Sequence, residues 1–506
     1  MKTIKIIIIF VLLACRAAYG IEYNIKDFGA VENKIATSSI QKAIDACYQN
    51  GGGTVIVPVG TFITGTIILK SNINLHLETG AELRSSENLD DFLISSSRYG
   101  MIFCQDAYNV SITGEGTLNG LGTSFYESDQ NHLYPEFDRK IIRQKEGYMP
   151  EGTFFTDGPL KRKQMPGIAI VFYHCNHVSI KGITIKDTPV WATRIGYCED
   201  VLIDGISILN NLMIPNSDGI HLTVSRNVRI ANCDIRAGDD DIVVTGFTRT
   251  EDTPGFNSKE QDKYIHGNKT IYAENIQVNN CHLQSRSSAI RIGYGQHPIR
   301  RCIFSNIVIS ESNRGIGIYA RDSSSIEELI FSNIMIETRL YNGQWWGHGE
   351  PIHLSAITRF EGKPVGQIKN VQFNNIISTG EQGIFIYGQK ESHLENIQFN
   401  NVQLHLRKGR ETMGYGGNFD LRPAANIEDQ IFEHDIPGIY AQYVDNIAIR
   451  DFTLSWGDDL PGFFTNGIEC FEVKDLVLKD FVGGPNPNAL KSQKVKLTDT
   501  TFRKID

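Results

Sequence analysis

The feature that most constrains this chain is a repeat. From about residue 109 an alternating apolar strand recurs, broken each time by one Gly, Asn or Asp. Copies read Val110-x-Ile112-x-Gly114, Val178-x-Ile180-x-Gly182, Val201-x-Ile203-x-Gly205, Val228-x-Ile230-x-Asn232 and Ile276-x-Val278-x-Asn280. The series runs on through Asn306, Asn333, Asn375 and Asn401 to Asp451 and Asp480. Gly, Asn and Asp enter the left-handed backbone region at least cost, so each copy turns a corner there with positive φ. Corners are spaced by 23 (182 to 205), 27 (205 to 232), 26 (280 to 306), 27 (306 to 333) and 26 (375 to 401). A period in the twenties built of short strands fits one coil of a parallel β-helix, in which each strand pairs one coil away and inward residues stack into a continuous core. The leucine-rich frame Leu-x-x-Leu-x-Leu is missing, which removes the nearest rival. The Asn run is placed to stack as a ladder of side-chain amides. Length alone, 506 residues, suggests several domains, but repetitive folds grow by adding units. The expectation is one all-β domain over 21–506.

The start of the chain reads as an export signal over 1–20. Lys2 and Lys5 form its charged end, Ile6 to Ala14 its apolar core, and Ala18-Tyr19-Gly20 a cleavage site. A lipoprotein signal, Leu12-Leu13-Ala14-Cys15, is the alternative and would anchor the chain at Cys15. The apolar run is too short to span a bilayer, and no later segment reads as transmembrane. An exported, monomeric protein is expected. The other eight cysteines lack disulfide or metal spacing, and several sit at apolar strand positions, so they read as buried free thiols with no metal and no cofactor. A net charge of −9 argues against a nucleic-acid partner. Residues 23–83 read as a cap: an extended stretch from Tyr23 to Phe28, then a helix from Ser38 to Gln49 with Ile40, Ala43, Ile44 and Cys47 on one face. Thr37 or Ser38 is its candidate cap residue, and Gly51-Gly52-Gly53 its stop; short strands follow.

A second register follows the corner. It aligns Asp218-Gly-Ile-His-Leu, Asp240-Asp-Ile-Val-Val, Ser288-Ala-Ile-Arg-Ile, Arg314-Gly-Ile-Gly-Ile, Glu350-Pro-Ile-His-Leu, Gln382-Gly-Ile-Phe-Ile and Asn466-Gly-Ile-Glu-Cys. Residues between the two inward apolar positions, such as His221, Arg291 and His353, point away from the coil core. Adjacent coils lie about 4.8 Å apart. Asp218, Asp239, Asp240 and Asp241 thus crowd one patch, where repulsion keeps some of them protonated. Carboxylates in both protonation states, flanked by cations and aromatics, suit glycosidic hydrolysis: one acid protonates the leaving oxygen and another carboxylate activates water. Calcium-dependent elimination, a non-catalytic sugar-binding helix and a surface cluster of turn-forming Asp are the competing readings.

Several stretches together resemble glycoside hydrolase family 28, the polygalacturonases and rhamnogalacturonases. They are Asp27-Phe28-Gly29-Ala30, Gly51-Gly52-Gly53-Thr54-Val55, Thr188-Pro189-Val190-Trp191, Asn216-Ser217-Asp218-Gly219 and Gly238-Asp239-Asp240. The resemblance implies a right-handed parallel β-helix and an inverting hydrolase of α-galacturonosyl linkages in pectic polysaccharide. It makes Asp239 the general acid, with Asp218 and Asp240 holding the attacking water. Two departures stand out. The family's Gly-His-Gly histidine falls on Ser288, and its Arg-Ile-Lys falls on Gly317-Ile318-Tyr319. In the family that Arg and Lys grip a galacturonate on the leaving-group side. Their loss points to a neutral sugar there, such as rhamnose, with Tyr319 as a stacking face; homogalacturonan is the alternative substrate. His221, Arg291, Arg314, Tyr319, Trp345, Trp346 and His353 are the candidate substrate-binding residues. Trp191 and the Asn ladder are assigned to structure, and Lys161-Arg162-Lys163 to a solvated loop. The polar insertion at 123–166 is long enough to wall off one end of a cleft.

Overall fold

The computed structural model describes residues 22–94, 97–132, 154–247 and 271–505. The export signal with Cys15, residues 248–270, and the part of the 123–166 insertion that holds Tyr134 and Phe137 lie outside the described residues. The described chain is a right-handed parallel β-helix whose main sheet system links 33 strands, each hydrogen-bonded to the equivalent strand one coil away. On the face that matters below, the register runs Ile195, Leu222, Val244, Ile292, Ile318, Leu354 and Ile386. All are fully buried. Phe304, Phe331, Phe373 and Phe399 stack inside the helix with centroids 4.9–5.0 Å apart, the coil spacing itself. Among the described residues no helix is long and apolar enough to cross a membrane.

Every corner named from the sequence has positive φ, from Gly114 at 113° to Asp480 at 52°. Asn280 donates to Asn232, Asn333 to Asn306, Asn375 to Asn333 and Asn401 to Asn375, at 2.7–3.1 Å. The ladder slips once, where Asn306 donates to Asn279. A second left-handed corner, not foreseen, precedes each of these by five positions: Asn227, Asn275, Arg301, Glu328, Asn370 and Asn396. Its Arg and Glu members escape a search for Gly, Asn and Asp. The eight described cysteines are free and buried.

At the N-terminal end the helix Thr37–Gln49 buries Ile40, Ala43, Ile44 and Cys47 over the open core. Gln41 donates to Ile68 O and accepts from Ile68 N, closing polar groups of the strand beneath it. Two expectations fail here. Residue 36 is the N-cap and is Ala, so no side chain caps the helix; Thr37 instead accepts from Gly65 N. The chain is extended only over Glu22–Asn24, because the Asn24 side chain accepts from Lys26 N and turns Ile25–Phe28 into a 3₁₀ helix.

The second register also needs two more coils. Thr193 pairs with Ile220, and Ile439 stands between Ile384 and Ile468. Thr193 hides the first because it occupies an apolar rung.

Candidate active site

Successive coils present Asp218, Asp240, Ser288 and Arg314 at the heads of adjacent strands, and Gly219 N and Ile220 N donate to the carbonyls of Asp240 and Asp241. These residues line a cavity of about 260 Å³, small beside the ~300 Å³ at which pockets for drug-sized ligands begin. Its wall also includes Trp191, Asn216, Arg291 and Tyr319.

The three carboxylates are held differently. Asp239 accepts from Asn216 N, Asn216 Nδ2 and Asp240 N at 3.0–3.2 Å. Burial, then the charge of Asp240, still pushes its pKa up to about 7 against the pull of Arg291. Asp240 accepts from Ser288 N at 2.9 Å and lies 2.6 Å from Arg291 Nε. Asp218 Oδ2 meets His221 Nδ1 at 3.2 Å, while Oδ1 has no hydrogen-bond partner. Burial, Asp239 and Asp240 together hold Asp218 well above the usual carboxylate range. At neutral pH the patch thus holds both a carboxylic acid and carboxylate. Asp241, the fourth acid, is fully buried and does not line the cavity.

Beyond Ser288 the wall turns cationic, and each arginine already has an acid. Arg314 lies 3.3 Å from Glu350 and 3.6 Å from Asp420; Arg359 is 2.9 Å from Asp322. Arg422 forks onto Asp420 at 2.7 and 2.9 Å and packs over Trp346. Burial raises Glu350 and Asp420, but Arg314 and Arg422 respectively outweigh it and leave both pKa values well below normal.

Residues 151–336 match the family model described as glycosyl hydrolases family 28. The chain resembles that family. A polygalacturonase of Medicago sativa is 23% identical over 57% of this chain and 64% of its own length; an exopolygalacturonase of Zea mays is 23% identical over 54% and 62%. The chain therefore spans under two thirds of these curated relatives. Among solved structures, the family 28 exopolygalacturonase of Yersinia enterocolitica superposes with a TM-score of 0.64 at 19% identity, covering 91% of this chain and 78% of its own. The hyperthermoactive exopolygalacturonase of Thermotoga maritima gives 0.59 at 19%, over 86% and 92%. At that identity the structures speak for the fold.

Of the family-28-type candidates, Asp218, Asp239, Asp240, Arg291, Arg314, Tyr319 and Trp346 meet at one cavity. His221, His353 and Trp345 do not line it. His221 is buried beneath Trp191, with ring centroids 3.8 Å apart. His353 is buried edge-on between Tyr319 and Phe385 and bonds Ser355. Trp345 turns inward and donates to Asp157 O. The two histidines leave the coil core as expected, but a further layer of side chains covers them; Trp345, expected to be exposed on a loop, is buried. Tyr319 offers little stacking face: it is 5% exposed, with Arg314 and Arg321 each about 5 Å from its ring centre. It folds back over Gly317, where an added Cβ would lie 2.3 Å from the tyrosine oxygen. Trp191, read as structural, is also a cavity wall. Arg162, read as solvated, donates to Pro215 O and Asn216 Oδ1, bracing the residue that holds Asp239.

Sequence reasoning missed Asn216, Tyr294, Arg359 and Arg422 as wall residues. Asn216 lay within the quoted motif. Arg422 comes from a hairpin, Asn418–Asp420 with Ile431–Glu433, that stands outside the coil register and carries no repeat signal.

Proposed function

We propose that the protein is an inverting glycoside hydrolase that cleaves α-galacturonosyl linkages in pectic polysaccharide, with a neutral sugar such as rhamnose on the leaving-group side. The observation that carries the reading is the unequal holding of Asp239, Asp218 and Asp240 in one cavity. Asp239, protonated, gives its proton to the glycosidic oxygen as the bond to the anomeric carbon breaks. Water attacks that carbon from the opposite face and yields its proton to Asp218 or Asp240. One bond to oxygen forms as another breaks, so configuration inverts. Family resemblance supports the assignment of the acid, the base and the stereochemistry.

The leaving-side clause rests on Gly317 and Tyr319. One ring occupies the space of both family cations, and Arg314, Arg359 and Arg422 are each already matched to an acid. Hydrolysis of homogalacturonan is the second reading, favoured by the number of arginines on the wall and by the relatives' names. Export through 1–20, a single domain over 21–506 and action as a monomer complete the proposal. A panel of defined homogalacturonan and rhamnogalacturonan oligosaccharides tests it, with the first-formed anomer read by NMR. Faster turnover of homogalacturonan sinks the neutral-sugar clause; a retained anomer or an unsaturated product sinks the hydrolytic mechanism.

A further inference from the structure

His221 shares its column with Arg194, Val243 and Arg291 on neighbouring coils. It is fully buried, and one face stacks on the Trp191 indole with the planes 20° apart. Both ring nitrogens have partners: Nδ1 lies 3.2 Å from Asp218 Oδ2, and Nε2 3.2 Å from Thr245 Oγ1. A ring fixed by its face and both nitrogens keeps one orientation.

Only one proton placement suits a base at Asp218. An ionised carboxylate accepts and never donates. With Asp218 ionised, Nδ1 must carry the ring proton, or two lone pairs would face each other. Nε2 then accepts from the Thr245 hydroxyl, whose other neighbours are Leu222 O and Thr223 Oγ1 at 3.3 Å. Burial, with Arg291 and Arg194 nearby, lowers the imidazole pKa well below its ordinary value, so the ring is neutral and has a single N–H to give. Asp218 Oδ1 is buried, has no hydrogen-bond partner and belongs to a residue of the cavity wall.

We propose that His221 is a positioning residue that makes Asp218 the base: its Nδ1–H ties down Oδ2 and leaves Oδ1 to take the proton of the attacking water. The inference rests on the hydrolytic reading above. Asp239, Asp240 and Arg291 are the other charged groups that act on Asp218. Burial and the two neighbouring acids hold Asp218 up; a hydrogen bond given only to ionised Asp218 opposes them and moves the shared proton towards Asp239, where a general acid needs it.

Two substitutions in the full chain separate this role from packing. His221→Phe keeps a ring to stack on Trp191 and removes the N–H. His221→Asn keeps an N–H near the Nδ1 position and removes the stack. The readout is the pH profile of kcat/KM for release of reducing ends from homogalacturonan and rhamnogalacturonan oligosaccharides, with Asp218→Asn and Asp239→Asn alongside. His221→Phe is expected to lose about 100-fold in kcat with KM little changed. Removing the donor destabilises ionised Asp218, so the acid limb of the profile moves up by about one to two pH units. His221→Asn recovers roughly tenfold of the loss and restores the limb. A wild-type profile for His221→Phe, or a worse one for His221→Asn, makes the ring mere packing and overturns the proposal. An inactive Asp218→Asn beside a normal His221→Phe removes only the role of His221, whereas active Asp218→Asn and Asp239→Asn remove the hydrolytic reading itself. Independently of any variant, ¹⁵N NMR of the native protein at a pH above the acid limb of its profile, where Asp218 is ionised, should find His221 protonated on Nδ1; a proton on Nε2 there overturns the proposal.

Discussion

Two columns climb this β-helix coil by coil and use one geometry in opposite ways. The corner column repeats a single residue, from Asn306 through Asn333 and Asn375 to Asn401, each amide donating to the rung before it or to its neighbour. The column at the strand heads reads Asp218, Asp240, Ser288, Arg314, Glu350 and Gln382 and repeats only its first residue. The difference follows from burial. Corner rungs meet water, and an amide both gives and accepts, so identical neighbours satisfy one another. Head rungs are almost wholly buried, so each charge needs an opposite partner: Arg291 for Asp240, Glu350 for Arg314. Where like charges remain adjacent, at Asp218 beside Asp239 and Asp240, the mismatch appears as a raised Asp218 pKa. The departure from repetition marks the place where the fold leaves something for a ligand to complete.

The contrast can be broken hardest at its acids. Asp239→Asn should lower kcat by about 10³- to 10⁴-fold with the fold intact, as read by turnover beside far-UV circular dichroism. Next comes pH. As the proposed acid Asp239 must be protonated, and burial beside Asp240 pushes its pKa up to about 7, so kcat/KM should fall towards tenfold per pH unit as pH rises above that value. A profile that stays flat to pH 9 would take the proton away from Asp239. Smaller is Gly317→Ala, whose methyl must displace the tyrosine ring. KM should rise roughly tenfold with a smaller change in kcat, and stability should drop by about 1–3 kcal/mol in urea titration. Smallest for function is Asn333→Ala, on the repetitive column: about 1–2 kcal/mol of stability is lost to a left-handed alanine, with kcat and KM unchanged. A loss of activity there would mean that the two columns are coupled through the coil.

The repetitive column was also the legible one. Its residues are chosen by local backbone geometry, which a single sequence records, and so the coil period and the corners could be placed by number. The acids were legible because Asn216 to Gly219 and Gly238 to Asp240 are contiguous motifs one coil apart. What stayed hidden depends on layers above the coil. His221 and His353 leave the strand outward, but Trp191 and Phe385 cover them, and alternation along a strand says nothing about what lies on top. Asp420 reaches Arg314 from about a hundred residues downstream and holds Arg422 beside it, on a hairpin with no period to align. The second corner was missed for a different reason: Arg301 and Glu328 adopt positive φ because their coil demands it, against their own preference.

The stack of Trp191 on His221 has one more consequence. Trp191 is one of four tryptophans in the chain; it touches the cavity on one side and, through His221, Asp218 on the other. On the reading proposed above, light absorbed by that indole would be emitted from a chromophore whose surroundings change when a sugar enters the cavity and again when charge shifts on Asp218. Together with Trp346 on the same wall, Trp191 would then serve as a fluorescent reporter through which binding could be followed without labelling either the protein or the substrate.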